Sequence, residues 1–239
     1  MYRNYILLVL LCINSLALAS SHEIEIRTIA ISPYGIDKKG ELSGVYYDIS
    51  NLIFSEDSKV NHFIYPYARI NHELKTGHTD LTIMFKYKEL EKYVTYIVAL
   101  PPLRNVVVGI RGNNIQSIAQ LEGKSVAYLR GANFSNEIEN NSEITLYRTK
   151  NFNKSIEMLV AGRVDAVIGP FEALLMAAKK SGKDETFFGE PLTVSERTPW
   201  LQISNKSIHK FNIIEIKERF IKLIKNNKLE NLKRSYLTK

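Results

Sequence analysis

Apolar residues along this chain switch between two spacings, every second position and every third or fourth, and the switches lay out a succession of strands and helices. Ile24, Ile26 and Thr28 alternate with Glu25 and Arg27 and run into Ile29-Ala30-Ile31, a strand pattern that ends at Ser32-Pro33-Tyr34-Gly35. Asp37-Lys38-Lys39-Gly40 reads as a turn, and a helix is expected from Asp48, whose carboxylate would cap it, through Ile49, Leu52 and Ile53. Val60 to Tyr65 predicts a strand, Tyr67 to Thr76 a helix closed by Gly77, and Asp80 to Phe85 another strand. Beyond the charged stretch Lys86 to Lys92 come Tyr96 to Leu100, Pro101-Pro102 and the β-rich run Val106 to Ile110.

The second half repeats the style. Ile118 to Leu121 suggests a helical turn, Lys124 to Leu129 a strand, Gly131-Ala132-Asn133 a tight loop and Phe134 a helix start. Ile144 to Tyr147 reads as a strand, Asn153 to Ala161 as a helix ending at Gly162, Val164 to Ile168 as a buried strand and Phe171 to Lys180 as a helix. Trp200 to Ser204 is a strand before a final amphipathic helix, in which Lys217, Arg219, Lys222 and Lys225 alternate with Ile216, Phe220, Leu223 and Ile224. Such alternation is the mark of a solvated helix surface rather than of a nucleic-acid patch. Strands and helices in turn predict an α/β fold, not a sandwich or a bundle.

Ahead of this pattern stands a different one. Arg3 precedes the apolar stretch Tyr5 to Leu18, and Ala17-Leu18-Ala19 has the small-x-small form of a signal peptidase site. The stretch is shorter than the roughly 18 residues a spanning helix needs, so export with cleavage after Ala19 is expected. Leu11 is too large for a lipobox ahead of Cys12, which disfavours a lipid anchor. Cys12 is the only cysteine, so the mature chain would have no disulfide, no catalytic thiolate and no cysteine-held metal. Without residues 1–19 the formal charge falls from +7 to +6, spread widely over 220 residues.

Four segments, in order, carry a resemblance. Gly40-Glu41-Leu42-Ser43-Gly44-Val45-Tyr46-Tyr47-Asp48, Leu74-Lys75-Thr76-Gly77-His78-Thr79-Asp80, Ile115 to Ala127, and Leu159-Val160-Ala161-Gly162-Arg163-Val164-Asp165-Ala166 resemble signatures of the extracellular solute-binding proteins of family 3, best known for polar amino acid uptake. The resemblance implies an α/β, two-lobed type II periplasmic-binding-protein fold with a central ligand cleft. Lobe 1 would combine residues 20–103 with 195–239, and lobe 2 would span 104–194. Hinge closure around a small solute would be the working motion.

The chain departs from the amino-acid binders of that family where it matters. Leu90 or Glu91 stands where their carboxylate-gripping arginine falls, and Pro170 stands where their amino-gripping aspartate falls. A standard α-amino acid is therefore not the expected ligand. The loop Arg130, Gly131 and Asn133 holds the family position for lobe-2 backbone contacts, with glycine allowing close approach. Aromatic residues supply the rest: Tyr34 after Pro33, then Tyr47, Tyr67, Phe85, Phe171 and Trp200. Tyr46 and Tyr65 share the pattern, and tyrosine adds a hydroxyl to a stacking face. Tyr65-Pro66-Tyr67-Ala68-Arg69 resembles a "P(W/Y).R" motif, and Arg69 at a helix start opposes the dipole, which points to a pocket role or an ion pair. Glu172 is a second charged candidate.

No catalytic motif is present. His22, His62, His72, His78 and His209 lack metal-ligand spacing, and there is no P-loop or nucleophile elbow. The expectation is an exported, monomeric, periplasmic binder of a small molecule, without cofactor or metal and without a nucleic-acid partner. It would serve an ABC permease or a membrane sensor. The alternative is a dehydratase-like periplasmic enzyme on the same fold.

Overall fold

The computed structural model describes residues 23–54 and 59–238. The expected leader with Cys12 lies outside them, as does His22. The first part of the chain runs β1 (Ile24–Ile29), β2 (Ile36–Lys38), β3 (Glu41–Ser43), α1 (Val45–Asn51), β4 (Val60–Tyr65), α2 (Tyr67–Thr76), β5 (Leu81–Phe85) and β6 (Val94–Ala99). It continues through β7 (Leu103–Val108), β8 (Ser125–Leu129), α3 (Asn136–Asn140), β9 (Thr145–Thr149), α4 (Phe152–Val160), β10 (Ala166–Pro170) and α5 (Phe171–Lys180). The last elements are β11 (Leu192–Arg197), β12 (Pro199–Ser204), α6 (Ile213–Lys225) and α7 (Lys228–Leu237).

Two five-stranded sheets result, ordered β4-β1-β5-β12-β6 and β11-β7-β10-β8-β9. In the first, β1 lies parallel to β4 and β5, and β12 runs antiparallel to β5 and β6. In the second, β8 is parallel to β9 and β10, and β7 is antiparallel to β10 and β11. The chain crosses between sheets twice, through Leu100-Pro101-Pro102 and through Thr198. Because β6 neighbours β12 and β7 neighbours β11, the crossings run side by side, the arrangement of a two-strand hinge. Each sheet has its own apolar centre. Ile26, Leu81 and Leu201 are buried in the first, Val106, Val126 and Ile168 in the second.

Four expectations need correction. The first helix starts at Val45, not after an Asp48 cap. Gly44 at φ 125° lets the chain press on the Tyr34 carbonyl, where a Cβ would sit 2.5 Å from the oxygen. Asp48 instead accepts the Tyr236 hydroxyl at 2.7 Å, which ties α7 to α1. Residues 36–43 form a hairpin and not a turn alone. β11 was not foreseen. The final helix is two, broken at Asn227, whose φ of 55° is left-handed. Ile216, Phe220 and Leu229 are buried beneath the basic faces of α6 and α7. No helix among the described residues is long and apolar enough to cross a membrane.

Candidate functional site

Strand ends from both sheets meet over the hinge. Ile29, Ile31, Tyr34, Tyr46, Tyr67, Met84 and Phe85 from the first part of the chain face Leu103, Pro170 and Pro199, and they enclose only about 10 Å³. That is space for one water at most.

Backbone contacts set the aromatic wall. Val45 donates to the Pro33 carbonyl and Tyr46 to the Tyr34 carbonyl, each at 2.9 Å. The Tyr34 and Tyr46 rings consequently stack at 4.6 Å. Pro66 fixes the entry to α2, and Tyr67, its first residue, packs edge-on to Tyr87 at 6.1 Å.

The wall is apolar in bulk but not in detail. The hydroxyl of Tyr34 and one carboxylate oxygen of Glu172, Oε2, are buried without a hydrogen-bond partner. Native proteins pair nearly all such atoms, so each unpaired one calls for an explanation. Burial pushes the Tyr34 hydroxyl well above its ordinary pKa, with Tyr46 and then the Glu172 charge adding to the effect. Burial, then Glu172, raises Tyr46 likewise. Glu172 is thus close enough to act electrostatically on both rings, and all the hydroxyls stay protonated.

Arg197, at the end of β11, spans the two sides. Its guanidinium donates to the Asn133 carbonyl and, at 2.7 Å, to the Lys86 carbonyl. It also lies over the rings of Phe85 at 4.9 Å and Tyr87 at 5.5 Å. Gly131, at φ 77°, sits so close to the first turn of α2 that a Cβ would fall 3.2 Å from the Ala68 nitrogen. The two halves therefore touch.

Of the residues singled out in the sequence, Tyr34, Tyr67 and Phe85 line this space together, Glu172 acts on it, and Gly131 and Asn133 flank it. Others lie elsewhere. Tyr47 stacks on His62 at 4.1 Å. Arg69 is exposed on α2, bound to Glu73 at 2.7 Å and set over the Tyr65 ring at 3.5 Å. Arg130 is exposed and lines a basic groove with Arg148 and Lys150. Phe171 lies under Arg104, and Trp200 holds the Lys86 ammonium at 3.8 Å. Tyr87 and Arg197 escaped the sequence reading. The one available signal for Arg197 is the strand spacing of Leu192 and Val194 a few residues ahead of it.

No family model matches the chain. It is 24% identical over 173 residues to "Probable amino-acid-binding protein YxeM" of Bacillus subtilis (strain 168), a match that covers 69% of this chain and 65% of the relative. Among solved structures, an ABC uptake transporter substrate binding protein from Streptococcus pneumoniae with bound histidine aligns at TM-score 0.75 and 19% identity, over 92% of this chain and 94% of that one. The GluR0 ligand-binding core from Nostoc punctiforme, in complex with L-glutamate, aligns at TM-score 0.75 and 19% identity, over 89% and 98%. The fold is that of the two-lobed periplasmic binding proteins, and the likenesses agree with the resemblance carried by the four sequence segments.

Proposed function

We propose that this chain is an exported solute-binding protein that closes its two lobes around a small molecule over the hinge, for an ABC importer or a membrane sensor. On this reading lobe 1 takes in roughly 20–103 with the segment from about 195, lobe 2 takes the middle, and β11, Leu192–Arg197, lies across the boundary, paired with β7 of the second sheet. The observation that carries the reading is the set of buried, unpaired atoms at the cleft, Tyr34 Oη and Glu172 Oε2. A ligand with an amino or hydroxyl donor facing Glu172, and a ring or flat apolar face against Tyr34, Tyr46 and Tyr67, would satisfy them. The relatives named above are binding proteins, which favours capture over catalysis. With Leu90 or Glu91 where the family's carboxylate-gripping arginine falls, and Pro170 at the position of its aspartate, the ligand is not read as a standard α-amino acid, and Glu172 would serve a different donor.

A thermal-shift screen of small solutes tests this directly, since a ligand at about 100 times its dissociation constant stabilises by about 2.7 kcal/mol. The expected result is a solute whose shift vanishes in Glu172→Gln. A solute that stabilises both forms equally would place its site elsewhere, and micromolar calorimetric binding of arginine, glutamine or histidine would refute the exclusion of standard amino acids.

A further inference from the structure

A second space opens where the β2–β3 hairpin of the first half faces α5 of the second. It measures about 500 Å³, within the roughly 300–1,000 Å³ range of small-molecule sites. Its walls are mixed, with Ile31, Ile36, Phe152 and Met176 as the apolar part and Ser32, Ser43, Asn151, Asn153 and Tyr236 between them, and its charges are Lys38, Lys179 and Lys180, with no aspartate or glutamate in the lining. None of the three lysines forms an ion pair among the described residues.

The lysines have two origins. Lys179 and Lys180 stand in the last turn of α5, where the helix dipole alone favours cations. Lys38 is on β2, at the edge of the other half, and no dipole places it there. Convergence of unpaired cations from both halves on one groove concentrates positive potential next to the apolar, low-dielectric part of its walls. Only Ile31 is common to this groove and the tyrosine cleft.

We infer that the groove is a binding site for an amphipathic monoanion, an apolar body with one acidic head, separate from the ligand of the tyrosine cleft and independent of that ligand's identity. The apolar body would lie along Ile36, Phe152 and Met176, and the head would meet the lysines. Since the walls come from both halves, occupancy would also hold the two halves together.

Calorimetry on the mature chain with decanoate, decanol and decylamine tests the inference. Decanoate should bind saturably with one site, and decanol and decylamine at least about ten-fold more weakly. The surface pair Lys38→Glu with Lys180→Glu, and separately Met176→Trp, should each weaken decanoate about ten-fold or more with circular dichroism unchanged. Tyr34→Phe with Glu172→Gln should leave decanoate affinity as it was. Absence of decanoate binding at about 1 mM, equal binding of decylamine, or loss of binding in the cleft pair with retention in the lysine pair would overturn the inference.

Discussion

Among the described residues, two groups of buried polar side chains make a contrast, one with its partners in place and one without. In the first sheet Arg27 is 7% exposed. It donates to Glu73 at 3.1 Å, to Glu25 at 2.5 Å and to the carbonyls of Ile26 and Asn61. Glu73 also accepts from Arg69 and Thr79, and Asn61 closes the ring to Glu25. Burial works to raise the Glu73 carboxyl, but bonds from Arg69 and Thr79 and the Arg27 charge outweigh it and hold the pKa below the ordinary range. At the cleft, Tyr34 and Glu172 keep atoms with no partner. A satisfied network serves the fold. An unsatisfied one, next to a hinge, is what a site awaiting a ligand looks like.

The contrast can be broken most forcefully in the first cluster. Glu73→Ala leaves the Arg27 charge buried with a lost partner and should cost about 3–5 kcal/mol in urea unfolding. If the loss is under about 1 kcal/mol, the network is not structural and the comparison collapses.

A second test uses pH. His62 gives one ring nitrogen to Thr28 and the other to Asn51, each at 2.8 Å, under the Tyr47 ring. Burial, and then the Arg27 charge, push its pKa down to about 3. Because the folded value is depressed, the unfolded chain takes up the proton first. Stability from this group is full above the ordinary histidine pKa of about 6.5 and falls as pH drops towards about 3. Its ring signals in NMR should not titrate between pH 7 and 5, and urea midpoints should decline over that span less in His62→Gln.

Smaller effects are expected at the lobe contact. Arg197→Ala removes the bond to the Lys86 carbonyl that crosses it, together with the bond to Asn133 that holds the side chain in place, and X-ray scattering of the ligand-free protein should show a larger radius of gyration. Arg197→Lys should restore closure only in part, since an ammonium cannot match the planar fork. An unchanged radius in Arg197→Ala would mean that packing alone holds the halves.

The smallest change belongs to the cleft. Tyr34→Phe deletes an unpaired hydroxyl and should alter stability by no more than about 0.5 kcal/mol while weakening the cleft ligand. Phenylalanine is the substitution to use, because alanine would empty a site where the ring is 1% exposed and stacked.

How much of this was legible beforehand differs by feature. α2 and α5 match their sequence readings to the residue, because Pro66 and Pro170 fix their starts and a left-handed Gly77 ends α2. The α1 start differs because Asp48 looks like a cap, whereas the real opening residue, Gly44, is chosen by contact with Tyr34. β11 was missed because Thr193, Ser195 and Glu196 give it a half-polar face that only pairing with β7 explains. In the site, Tyr34 was readable from Pro33 and the end of β1. Arg197 was not, since its position depends on which strand crosses the hinge beside which.

The bridge made by Arg197 and the 10 Å³ left between the tyrosines bear on speed as well as on affinity. A solute can enter the space between the tyrosines only after the halves have parted, so arrival is governed by how often they part. Stopped-flow traces would then show an observed rate that climbs with solute concentration and levels off at the opening frequency, with one plateau shared by every solute the cleft accepts.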